Sequence, residues 1–163
     1  MKFYYNYPVY IPLIRNICNA ALVIAGIMTL ASINIWFVIL YLIYCLLAAF
    51  IIMPRLRCTK CFYHQKLCST GFSLIAKRLY KKKENCSFKE NMWHNIFLLP
   101  IALIPLSGAL YLLVHPSLKN ILLFSSVLSA IVGILTEHAH FGCYNCKELE
   151  QCIAGRIVKR KKD

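Results

Sequence analysis

Of the 163 residues, 60% are hydrophobic and only 15% are charged, yet the formal net charge is +13. A soluble domain of this size is usually about a quarter charged and under half apolar, and a disordered chain lacks so much apolar and aromatic content. What remains is a small integral membrane protein with basic polar segments and an excess of cysteine, nine in all.

Residues 1–10 do not read as a cleaved signal peptide, because no small-residue cleavage site follows a short apolar run. Tyr4, Tyr5, Tyr7 and Tyr10 are expected instead to form an interfacial aromatic belt, with Trp36 and Trp93 at other span ends. Four apolar stretches approach the roughly 20 residues that a crossing helix needs, at 12–31, 35–53, 95–114 and 120–136. Arg15, near one end of the first, is expected to snorkel to the headgroups. Asn16 and Asn19 share a helix face, either to bond across helices or to line a path. Residues 32–34 and 115–119 read as tight turns, with Asn34 and Asn120 capping the helices that follow. Pro100 and Pro105 are expected to kink the third span, and Gly26, Gly108 and Gly133 to admit close helix contact. Cys18 and Cys45, inside spans, read as packing residues, and His94 and His115 as interfacial. No Asp, Glu or Lys falls within a span, which argues against an ion-coupled transporter of ordinary design.

The basic residues sort by side. The long middle segment 54–94, the tail 137–163 and the N-terminus hold eighteen of the nineteen Lys and Arg residues; only Lys119 lies in a short turn on the other side. The positive-inside rule then predicts a multi-pass protein of the cell inner (cytoplasmic) membrane, with both termini and the 54–94 loop cytoplasmic. Anionic lipid headgroups account for this charge better than nucleic acid, which is not expected as a partner.

The chain also reads as an internal duplication. Cys58, Cys61, Cys68 and Gly71 form Cys-x2-Cys followed by Cys-x2-Gly, and Cys143, Cys146, Cys152 and Gly155 repeat the pattern 85 residues on, 84 at the third Cys. Shifted by 85, the first two spans land on the last two. After Gly71, Phe72, Ile75 and Leu79 accompany Lys77, Arg78 and Lys81 to Lys83. After Gly155, Ile157 and Val158 accompany Arg156 and Lys159 to Lys162. Each reads as a basic amphipathic helix on the inner leaflet. The predicted fold is all-α, a four-helix membrane bundle of two tandem parallel repeats, 1–94 and 95–163, with both cysteine motifs docked under one face.

A reducing cytoplasm disfavours structural disulfides, so paired Cys-x2-Cys motifs point to a metal site or a redox pair. Cys58, Cys61, Cys143 and Cys146 are candidate tetrahedral thiolate ligands, with Cys68 and Cys152 completing a second site or a three-Cys site in each repeat. His64, Cys86, His138 and His140 are candidate fourth ligands, and sequence does not choose zinc over an iron–sulfur cluster. Arg57, Lys60 and Lys147 are expected to lower thiol pKa values. Glu137 reads as a wet helix end, and His138 and His140 equally as ligands, proton relays or headgroup contacts. No phosphate-binding Gly loop or Ser-His-Asp order is present.

The run from Cys58 to Gly71, with Tyr63 inside it, resembles a Cys-x2-Cys-x-Tyr-x4-Cys-x2-Gly motif in small four-span prokaryotic membrane proteins of no assigned activity. The likeness covers about 14 residues and implies no catalytic residue. The residues thus leave three classes open: metal or cluster binding with membrane electron transfer, soft-metal trafficking, and a zinc-stapled scaffold without catalysis. A redox or metal-donor protein would be a partner in the first two, and so small a bundle leaves room for a homodimer. An enzyme acting on lipids at the basic face is a fourth, weaker class.

Overall fold

The structure is a computed structural model that describes residues 4–82, 96–143 and 145–147. Among the described residues every regular element is helical. Helix α1 covers Tyr10–Ala31, α2 Ile35–Leu47, α3 Phe72–Leu79, α4 Leu99–Leu112 and α5 Leu118–Glu137. Helix α2 runs on as π-helical turns over Ala48–Arg57, with Pro54 inside them, and then a 3-10 turn at Cys58–Lys60. Helix α5 runs on in the same way over His138–Cys143. Helices α2 and α5 therefore both widen into π-helical ends, one stopping just before Cys58 and the other at Cys143. Such wide turns are rare and are often found at functional sites.

Three helices are long and apolar enough to cross a membrane: Tyr10–Ala31, Ile35–Arg57 and Leu118–Gly142. Where a third span is expected, at 95–114, the structure has a shorter apolar helix, Ile96–Leu112, about 25 Å long at 1.5 Å per residue, which falls short of the length of the other three. Outward faces carry large apolar side chains, such as Ile17, Leu40 and Leu122, all more than half exposed. Such faces need lipid around them, which is how a helical membrane protein differs from a water-soluble bundle.

Helix α1 is the central post, packed against α2, α4 and α5. Leu22, Ala25, Ala109 and Val127 form the mid-bundle core, and Leu30, Val38 and Tyr41 a second cluster beside it. A Cβ on Gly26 would lie 2.9 Å from the Tyr41 ring and 3.1 Å from Pro105, so only glycine lets α1, α2 and α4 meet there. Gly108 is similarly crowded, by Leu30 at 3.2 Å. Gly133 has nothing within 4 Å of its missing Cβ, so the close contact expected of it is not made.

The turns follow local chemistry. The Asn34 side chain caps α2 by accepting from the Trp36 N–H at 3.0 Å, as expected. Ser117, not Asn120, caps α5; the Asn120 amide donates to the Leu112 and His115 carbonyls at 3.0 and 2.8 Å and staples the turn. Pro100 sits in the first turn of α4, where a missing N–H costs no helical bond, so it is a starter rather than a kink. Between α2 and α4 the bundle leaves an apolar cavity of about 760 Å³, lined by Leu40, Tyr44, Pro100, Ile104 and Tyr111 among others.

Candidate functional site

Of the four tyrosines expected in an interfacial belt, Tyr7 lies instead inside the protein. Tyr7 is buried, its hydroxyl donating to the Gly142 carbonyl at 2.8 Å and its N–H to the Leu67 carbonyl at 3.0 Å. The Tyr4 N–H donates to the Asn145 carbonyl at 3.1 Å. The Tyr63 hydroxyl donates to the Tyr4 carbonyl at 2.7 Å and accepts from the Lys147 N–H at 3.2 Å. The segment is thus threaded between the first cysteine motif and the second, with the Tyr7 ring packed 5.3 Å from Tyr4 and 5.4 Å from Tyr63. Tyr5 and Tyr10 alone of the four keep exposed rings.

The first motif is a compact double turn. The Cys58 carbonyl accepts from the Cys61 N–H at 3.4 Å and from His64 Nδ1 at 3.1 Å. That bond puts the His64 proton on Nδ1 and leaves Nε2 as the nitrogen with ligating character. The second turn closes from the Gly71 N–H to the Cys68 carbonyl at 3.2 Å. Gly71 has φ +75, a left-handed conformation that explains why the motif ends in glycine. Helix α3 starts there, and its small residues Ser73 and Ala76 face the protein, while Leu74, Lys77, Arg78 and Leu79 are exposed. The amphipathic face is therefore partly a docking face against the π-helical end of α2, not wholly a lipid-facing one.

The thiols gather on this scaffold. Cys61, Cys68 and Cys146 all pack around the Tyr7, Ile11 and Tyr63 cluster, which brings the two motifs to one place. Their environments differ. Burial pushes the Cys58 thiol up to about 12, helped by the nearby Cys68 and Cys61 and opposed by Arg57. Burial also acts on Cys68, but hydrogen bonds from Ser73 and Thr70 outweigh it and hold that thiol below its ordinary value. The Thr70 hydroxyl lies 3.1 Å from the Cys68 sulfur. Among the described residues, no three His, Cys, Asp or Glu side chains converge closely enough to chelate one ion. The Cys143 side chain, Cys86, Cys152 and the second basic helix lie outside the described residues. Trp93 and His94 do so too.

Arg15 does not snorkel. It is only 8% exposed and donates to the Ser69 hydroxyl at 3.1 Å, between Cys68 and Thr70. Its guanidinium also meets His138 Nδ1, and its Nε lies 3.6 Å from Glu137 Oε2. Glu137 is itself buried, not a wet helix end, and neither carboxylate oxygen has a hydrogen-bond partner among the described residues. His138, with Nδ1 taken by Arg15, is held as part of this cluster, and His140 is exposed at the π-helical end. Asn16 lies beside Gly71, 3.8 Å from the position a Cβ would take. One residue of α1 thus ties the first motif to the end of α5. The sequence signal was present, as a single Arg in the first span and a single Glu at the end of the fourth, but nothing in the spacing joins residues more than a hundred positions apart.

No protein family, no curated protein and no solved structure matches this chain.

Proposed function

We propose that the chain is a membrane protein whose two cysteine motifs together bind a soft metal ion or an iron–sulfur cluster and serve electron transfer at the inner membrane face. The observation that carries this reading is the packing of Cys61, Cys68 and Cys146 on one tyrosine cluster, with Cys58 close enough to Cys61 and Cys68 to feel their charge. Cys58, Cys61, Cys143 and Cys146 would be the principal ligands, and His64 Nε2 a further donor. The matched π-helical ends before both motifs support the tandem-repeat architecture, and the cation asymmetry supports a cytoplasmic placement of both motifs. Elemental analysis of anaerobically purified protein, with its absorbance spectrum, tests the reading. Cys61→Ser and Cys146→Ser should each remove most of the bound metal, since a shared site fails when either half is lost. Full loading in the Cys146→Ser protein would end the idea of a shared site. A colourless zinc protein would move the function to stapling or trafficking.

The unequal thiols favour a second reading, thiol–disulfide exchange. Cys68, leaning to the thiolate, would attack a partner disulfide, and a neighbouring thiol of the same motif would displace the partner as a dithiol. Thiolate content rises with pH, so in metal-stripped protein the midpoint of Cys68 alkylation should fall below the ordinary thiol pKa. Cys58 alkylation should still be climbing in strong alkali. Near neutral pH Cys68 should hold the larger thiolate fraction and be alkylated faster than Cys58. Equal labelling rates at the two positions would exclude this chemistry.

A further inference from the structure

Two lysines from different motifs converge on one pair of aromatic rings. Lys66 Nζ lies 4.4 Å from the Phe62 ring centroid and 5.3 Å from that of Tyr5. Lys147 Nζ lies 4.3 Å from Phe62 and 4.6 Å from Tyr5. The two rings are 6.2 Å apart, edge to face. Taken together these five distances confine the ammonium nitrogens to within about 7 Å of each other, wherever they sit around the two rings.

Long lysine side chains on a surface ordinarily spread to keep like charges apart. Here cation–π attraction holds each over the same rings. The backbone beneath is fixed as well. Tyr4 and Tyr7 bond to Asn145 and Leu67, and the Lys147 N–H bonds to Tyr63. Each ammonium group has three donors and faces a ring with only one side. Among the described residues Glu137 is the one carboxylate, and it is committed to Arg15. On one side of the ring pair, two phosphate oxygens about 2.5 Å apart, each taking an N–H···O bond of about 2.8 Å, reach both nitrogens.

We propose that Lys66 and Lys147, set over Tyr5 and Phe62, form a phosphate-binding clip across the seam of the two cysteine motifs. The ligand class is a phosphate group, from a lipid headgroup or from a free phosphate anion. The clip bridges the loop that carries Cys68 and the turn that carries Cys146, so its occupancy draws the two motifs together. It stands whether or not the thiols hold metal.

The test is amine footprinting of the full chain. Protein in phosphate-free maltoside micelles is treated with an acetylating reagent, with sodium phosphate or sodium chloride at equal ionic strength, and sites are quantified by mass spectrometry. A parallel arm uses discs of phosphatidylcholine with or without phosphatidylglycerol. With ligand at ten times its Kd, acetylation of Lys66 and Lys147 should slow about tenfold while Lys77 is unchanged. Protection by phosphate in micelles identifies a soluble anion, and protection only in phosphatidylglycerol discs identifies a headgroup. Lys66→Gln should abolish protection at Lys147. No protection in either arm, equal protection of Lys77, or Lys147 protection that survives Lys66→Gln each overturns the proposal. Glu148 and Glu150 follow Lys147 in the sequence. If Glu148→Gln with Glu150→Gln raises Lys66 and Lys147 reactivity in the absence of any ligand, those carboxylates serve the pair and the clip is likewise overturned.

Discussion

In the middle of the bundle, Gly26 lets the Tyr41 ring and Pro105 settle against α1, and the neighbours are Leu22, Ala25, Ala109 and Val127. At the motif end, the same helix α1 offers Arg15, and the chain before it offers Tyr4 and Tyr7, all bound through hydrogen bonds or charge. The first region coheres by shape. Lipid is as apolar as the core, so close backbone approach and dispersion contacts, not exclusion from water, hold those helices. The second coheres by direction, because a donor aimed at one carbonyl fixes a position as shape does not. That division suits a site that must register two separate cysteine turns.

The largest expected effect is at Arg15. Replacing it by leucine leaves Glu137 buried beside no cation, and breaking a buried pair from one side costs about 3–5 kcal/mol. Unfolding by dodecyl sulfate in mixed micelles, followed by circular dichroism, measures it. The double change Arg15→Leu with Glu137→Leu should recover most of the loss, since it removes the orphaned charge as well. A single-variant cost under about 0.5 kcal/mol would mean that the pair is hydrated and the motif end is not held by charge.

The mid-bundle counterpart is Gly26→Val, which drives a branched Cβ into the Tyr41 ring and should cost about 1–3 kcal/mol by the same assay. Gly133→Ala should be neutral or slightly stabilising, for it meets open space and alanine favours helix. If both glycines behave alike, shape is not what holds the middle together.

Much of the fold was legible because apolar runs and turn residues carry it locally. The expected span at 12–31 is Tyr10–Ala31, the one at 35–53 starts at Ile35, and the one at 120–136 is Leu118–Glu137. Asn34 declared its cap. The π-helical ends had no signature, since an i to i+5 ladder uses the same residue types as an α-helix. Tyr7 was misread because an amphipathic ring with a polar tip looks the same in a headgroup layer and in a core that offers the Gly142 carbonyl. Arg15 was misread for a similar reason: a cation near a helix end suggests snorkelling, and only the folded chain brings Glu137, His138 and Ser69 to it. The thiol gathering was half legible. Repetition said that the motifs belong together, but not that a tyrosine cluster would join them.

Tyr63→Phe is the finest probe of the contrast between the two regions. It deletes one oxygen that accepts from the Lys147 N–H and donates to the Tyr4 carbonyl, with the ring left in place. Tyr63 is buried, but its partners Tyr4 and Lys147 are not, so water can reach the freed backbone groups and the cost should be about 1 kcal/mol, felt locally. Because direction holds the motif end while shape holds the middle, the loss should stay where the bonds were. Hydrogen exchange at the Lys147 amide and the Tyr4 amide should quicken about fivefold, the factor that 1 kcal/mol corresponds to. Amides of Ala25 and Ala109 should not change. Equal acceleration at Ala25 would show one cooperative unit from end to end, and the seam between the motifs would then have no independent mobility for a ligand or a metal to restrain.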